Sequence, residues 1–132
     1  MTEQLTMSDN KPYLIRAIYE WIVDNNCTPY LVVQASYPGV VVPEQFVEDG
    51  KITLNAAPRS VRDLDLGNDR ITFTASFSGV VYDIVVPCFA VAAIFARENA
   101  QGMMFEVKVP DEVPEDPAPP TGGGKPTLKV VK

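Results

Sequence analysis

Residues 70–86 read RITFTASFSGVVYDIVV, and this stretch decides the fold. From Arg70 to Phe77, Ile71, Phe73, Ala75 and Phe77 fall on one face, and Thr72, Thr74 and Ser76 fall on the other. A period of two marks a strand with one face buried. Ser78-Gly79 is a two-residue turn pair, and Val80 to Val86 is β-rich, so the stretch reads as a hairpin. Working upstream, Lys51 to Ala56 alternates in the same way, with Ile52 and Leu54 inward. Asp49-Gly50 separates it from the Phe46 region as a second hairpin signal. Tyr30 to Tyr37 is a further strand, ended by Pro38-Gly39, and Val40 to Val42 resumes it. Downstream, Pro87 is expected to open a helix over Cys88 to Asn99, with Phe89, Ala92, Ala93 and Phe95 inward; Met103 to Val109 is expected as a last strand. The fold class is therefore mainly β with two helices, a small β-sandwich or partly open Sm-like barrel.

The other helix lies ahead of the strands. Ser8, Asp9 or Asn10 can cap it, Pro12 suits its first turn, and Tyr13 to Asn26 carries the helical pattern until Asn25-Asn26 and Pro29 end it. Arg16, Glu20 and Asp24 mark one polar line. Leu14, Ile18, Trp21 and Ile22 form one apolar stripe, and Ile15, Tyr19 and Val23 a second beside it. A surface helix of a monomer needs one stripe. Two stripes imply burial on two sides, and hence a homodimer built on this helix.

Composition narrows the function. The chain has 132 residues, enough for one domain with a real core. It carries 11 basic and 17 acidic side chains and no His. A net charge of −6 repels phosphate, which argues against nucleic acid and anionic membrane as partners. Without His there is no Ser-His or Cys-His pair, no His metal ligand and no ordinary neutral-pH proton shuttle, so the chain reads as a non-enzyme. Cys27 and Cys88 are far apart and read as small hydrophobes in a reducing compartment. The opening MTEQLTMSDN lacks the pattern of a signal peptide, and Ile84 to Ala96 is too short to span a bilayer. The expected location is the cytoplasm.

Residues 1–109 hold nearly all the bulky apolar groups, with 13 acidic and 8 basic side chains. Residues 110–124 hold five Pro, three Gly and four acidic residues, the composition of a solvated linker. Residues 125–132, KPTLKVVK, bring three Lys with Leu128, Val130 and Val131 and read as a short docking peptide on a disordered tether. Asp63, Asp65 and Asp69 are the surface of a strand and not a calcium loop, because Leu64 and Leu66 alternate with the first two. GGGK at 122–125 lacks the Ser or Thr and the preceding strand of a phosphate loop. No metal or other cofactor is expected. Arg59, Arg62 and Arg70 gather around the third and fourth strands and suit either ordinary surface pairing with Asp63, Asp65 and Asp69 or a rim that receives an extended acidic or polar peptide.

Four stretches carry a resemblance: KPYLIRAIYEWIVDNNCTPYLVV, PGVVVPEQFVEDGKITLN, AIFARENAQGMMFE and GGGKPTLKVVK. In that order they resemble the stringent starvation protein B (SspB) family. The resemblance implies an adaptor for the AAA+ protease ClpXP. Such an adaptor dimerises through its N-terminal helix and holds the ssrA degradation tag in a groove of a β-rich body. Its C-terminal peptide docks on the zinc-binding N-terminal domain of ClpX. Carried onto this sequence, the resemblance implies ClpX docking by Lys125, Pro126, Leu128, Val130 and Val131. It places the tag groove at Phe46, Val47, Ala57, Arg59, Ser60, Val61, Phe73, Ala75, Ser76 and Phe77. It assigns the dimer to the helix Pro12 to Asn25, with Tyr13, Ile15, Ile18, Tyr19 and Ile22 at the interface. The alternative is a small Sm-like β-barrel that binds RNA or serves general interactions. It would want a basic stripe with exposed aromatics, against a sequence pI near 4.5.

Overall fold

The computed structural model describes residues 7–109. Helix α1 spans Lys11–Asp24. Strands follow at β1 Pro29–Gln34, β2 Lys51–Asn55, β3 Val61–Leu66, β4 Arg70–Phe77, β5 Val80–Pro87, β6 Val91–Ala96 and β7 Gly102–Met104. They pair entirely antiparallel, in a four-stranded sheet ordered β2-β1-β6-β7 and a three-stranded sheet ordered β3-β4-β5. The domain is thus mainly β, with one α-helix and two sheets. The pairing does not establish the Sm-like barrel. The expected linker 110–124 and docking peptide 125–132 lie outside the described residues.

Ser78-Gly79 closes the β4-β5 hairpin, whereas Asp49-Gly50 closes a tight turn with one bridge, Glu48 to Lys51, because the Phe46 region ahead of it is not a strand. All four residues take positive φ, and at Ser78-Gly79 this matches the right-handed twist of the two flanking strands. α1 ends as its two Asn residues require. Asn26 sits at φ +60°, its N–H reaches the Val23 carbonyl, and the Cys27 N–H reaches back to Ile22, which satisfies the last carbonyls of the helix.

The second helix is a correction. Cys88–Ala90 makes one 3-10 turn, and Val91–Ala96 is a strand. The Ala-rich run Val91-Ala-Ala-Ile-Phe-Ala has helix propensity, but it lies between β1 and β7, with Val91, Ala93, Ile94 and Ala96 all buried. An interior strand covered on both faces loses its alternation, so a short apolar run looks alike in either state. Phe89, expected inward, is exposed. The strand expected over Met103 to Val109 reduces to Gly102–Met104, and the Phe46 region forms a 3-10 turn, Glu44–Phe46. Val40 to Val42 contributes a single bridge, Val41 to Val85.

One core fills the space between the helix and the sheets. Ile15 and Ile22 of α1 meet Leu31 and Val33 of β1, Ile52 and Leu54 of β2, Ile71 and Phe73 of β4, Ile84 and Val86 of β5, and Ile94 of β6. Each such side chain contributes about 1.5–3 kcal/mol by leaving water. Polar ties fix the helix on this core. The Tyr19 hydroxyl donates to the Ala56 carbonyl at 2.8 Å, and Arg16 Nη1 donates to the Leu66 carbonyl at 3.1 Å. Burial raises the Tyr19 pKa. At the far end Glu98 takes the Thr28 N–H and hydroxyl, both at 2.8 Å, and these bonds hold its carboxyl down at about 2. Lys11 is also drawn in. Its ammonium donates to the Phe89 carbonyl at 3.3 Å and lies 5.0 Å from the Phe105 ring centroid. Desolvation lowers its pKa, with the charges of Asp9 and Cys88 opposing.

Candidate functional site, an aromatic cluster at the hairpin tip

The tip of the β4-β5 hairpin meets the Glu44–Phe46 turn in a cluster of aromatic rings. Phe77 packs on Phe46 with centroids 5.4 Å apart, and on Tyr82 edge-on at 5.7 Å. The register places Tyr82 beside Ala75, on the inward side of the hairpin. Gln45 Nε2 donates to the Tyr82 hydroxyl at 2.7 Å, which ties the turn to the strand. Phe46 keeps 37% of its surface exposed. An exposed, pre-packed ring surface of this kind gives a partner apolar contact at little ordering cost. On the other side of the same turn, Val47 and Glu44 line a cleft of about 340 Å³ with Ala35, Ser36, Val40 and Val42. The turn thus contributes Phe46 to the aromatic cluster and Glu44 and Val47 to the cleft.

The remaining groove candidates divide by burial. Val61 stands opposite Ala75 in the β3-β4 ladder, two residues from Phe77. Arg59 and Ser60 are exposed in the turn that leads into β3, where the Ser60 N–H bonds the Ala57 carbonyl. Ser76 is exposed on the outer face. Ala57, Phe73 and Ala75 are buried. Sequence reasoning missed Tyr82 and Gln45. The signal for Tyr82 was present, because a Ser78-Gly79 hairpin forces residue 82 to face the same way as Ala75 and Phe77. Gln45 had no such signal, since its role depends on a turn brought in from distant sequence.

The helix candidates divide in the same way. Ile15, Tyr19 and Ile22 belong to the chain's own core, with Ile22 only 2% exposed. Ile18 is half-buried, while Tyr13 at 49% and Trp21 at 47% present rings to solvent. The cation of Arg16 lies over the Tyr13 ring at 4.6 Å. Leu128, Val130, Val131, Lys125 and Pro126 lie outside the described residues. Asp63 sits at φ +56° in the bulge of β3, and Asp65 pairs with Thr72. Among the described residues no group of three or more acids and cysteines converges, and no helix is long and apolar enough to cross a membrane.

A model of the family described as stringent starvation protein B, SspB, matches residues 9–132. The chain belongs to the SspB family. A relative from Haemophilus influenzae, described as a stringent starvation protein B homolog, is 50% identical over 106 residues. That match covers 80% of this chain and 69% of the relative. The SspB match takes in α1, both sheets and the residues beyond β7. The aromatic shelf and the exposed helix rings are therefore parts of an SspB body.

Proposed function

We propose that this SspB-family chain is a protease adaptor, which holds ssrA-tagged polypeptides on the shelf around Phe46, Phe77 and Val61 and delivers them to ClpXP. Family membership carries the reading. The shelf supports it, because rings packed in advance, on a hairpin whose Ala75 pairs with Val61, suit an extended peptide with apolar side chains and a polar backbone. Residues 125–132 act as the docking peptide for the zinc-binding domain of ClpX, with Leu128, Val130 and Val131 as its apolar contacts. The adaptor makes and breaks no bond. It raises the effective concentration of a tagged substrate at the protease by tethering both to one body. Such work belongs in the cytoplasm.

A homodimer built on α1 completes the proposal. Its contact surface is the outer side of the helix, around Tyr13, Ala17 and Trp21, which the core leaves free. Two tails on one body would then strengthen the grip on the protease.

The deciding experiment is ClpXP degradation of a dilute ssrA-tagged reporter, with and without this protein. A rate increase that fades as substrate saturates is the expected result. No increase with an active protease would overturn the adaptor reading. Leu128→Asp or Val130→Asp should abolish the increase and leave tag binding intact; a loss of tag affinity would contradict separate tail and body functions.

A further inference from the structure

The aromatic cluster carries one polar group whose bonding capacity is half used. Tyr82 is half-buried on β5, and its ring meets Phe77 edge-on at 5.7 Å. Its hydroxyl accepts a hydrogen bond from Gln45 Nε2 at 2.7 Å. A phenol also has a proton to give. Tyr19 gives its proton to the Ala56 carbonyl at 2.8 Å. Among the described residues no group accepts the proton of Tyr82. The bond from Gln45 sets where the hydroxyl oxygen stands and polarises it, which makes the remaining O–H a better donor.

The surroundings select the acceptor. Residues 35–50 contain no Lys or Arg, residues 71–87 contain none either, and Glu44 adjoins Gln45 in the same turn. A carboxylate brought to Tyr82 would give up water, meet the charge of Glu44 and gain no cation from either segment. A neutral carbonyl meets none of these costs. Asp83, next in sequence to Tyr82, is turned to the opposite face of the sheet, where Thr74 Oγ1 donates to its carboxylate at 3.0 Å.

We propose that Tyr82 is a peptide-contacting residue of this site, its hydroxyl donating to a main-chain carbonyl of the bound polypeptide while the Phe46 and Phe77 rings take an apolar side chain. The inference rests on the reading of the cluster as the tag-binding surface, and it adds a residue that the family resemblance did not imply. It also names what the surface reads. In an extended peptide alternate residues point their carbonyls to the same side, so one lies within a residue or two of any apolar side chain. Every residue has a carbonyl, so this contact tolerates sequence. The substrate class is an extended segment with an apolar residue and no acid at the point of contact.

The test is fluorescence anisotropy of an ssrA peptide on the full chain, for wild type, Tyr82→Phe, Gln45→Leu and the double variant, with circular dichroism showing each folded. Tyr82→Phe keeps the ring and removes the hydroxyl, so binding should weaken about fivefold, the size of one neutral hydrogen bond. Gln45→Leu cuts the tie to the turn and leaves the donor in place, so Tyr82→Phe should still cost about threefold or more in that background. Replacing the peptide's amide links by esters, one at a time, weakens each carbonyl as an acceptor. One replacement should weaken binding to wild type and have no further effect on Tyr82→Phe. Unchanged binding by Tyr82→Phe would overturn the proposal. So would a loss that vanishes in the Gln45→Leu background, since Tyr82 would then only hold the turn, and so would the lack of any ester position coupled to Tyr82. If the wild type binds no ssrA peptide at all, the tag reading fails and this contact with it.

Discussion

Replacing Ile22 by Ala separates the two roles open to the inner side of α1. The side chain is 2% exposed and packs in the single core. The substitution removes three carbons. At about 0.8 kcal/mol per buried methylene the transfer loss is about 2.4 kcal/mol, and the incompletely collapsed cavity brings the total to about 3 kcal/mol. For a domain of this size that lowers Tm by roughly 12–20 °C. Urea unfolding followed by Trp21 fluorescence, at two protein concentrations about a hundredfold apart, measures it. The difference from wild type should be the same at both concentrations, because the packing that Ile22 provides lies within one chain. A destabilisation below about 1 kcal/mol, or one that grows on dilution, would refute the assignment and return Ile22 to an interface between chains.

Three further outcomes follow from the same geometry. Phe77→Ala removes the ring shared by Phe46 and Tyr82; binding of an ssrA peptide, by fluorescence anisotropy, should weaken at least tenfold, with circular dichroism showing the fold retained. In Gly102→Ala the new methyl would run into the Ile94 carbonyl oxygen and the Phe95 Cα. The β6-β7 pairing should open, and the Ile94 and Gly102 region should lose amide protection. Glu98 has its folded pKa held near 2 against an ordinary 4.5, so its contribution is complete above about pH 4.5 and fades as pH falls toward 2. Glu98→Gln should therefore be less stable than wild type at neutral pH, and thermal melts across pH 2–7 should show the gap closing only in that acid window.

The legibility of the fold varied with the kind of signal. The β4-β5 hairpin, both positive-φ turns and the end of α1 follow from residues adjacent in sequence, and they appear where Ser78-Gly79, Asp49-Gly50 and Asn25-Asn26 place them. β6 did not follow, because its state is set by β1 and β7 on either side, and neither neighbour is visible in the run Val91 to Ala96. The two apolar stripes of α1 were plain, but which chain covers each was not. Tertiary packing turns Ile15, Tyr19 and Ile22 toward the chain's own sheets and leaves Tyr13 and Trp21 outside.

The sequence by itself determined the family, the mainly β class and the absence of His, because motifs, alternation and composition are local properties of the chain. Only the tertiary structure decided that Phe46, Phe77 and Tyr82 form one surface, and that among the described residues Val41 is what β5 pairs with on the side away from β4. Those facts rest on contacts between segments more than thirty residues apart and on where one bridge, Val41 to Val85, ends. No local pattern encodes either, since each depends on which surfaces remain once the core has closed.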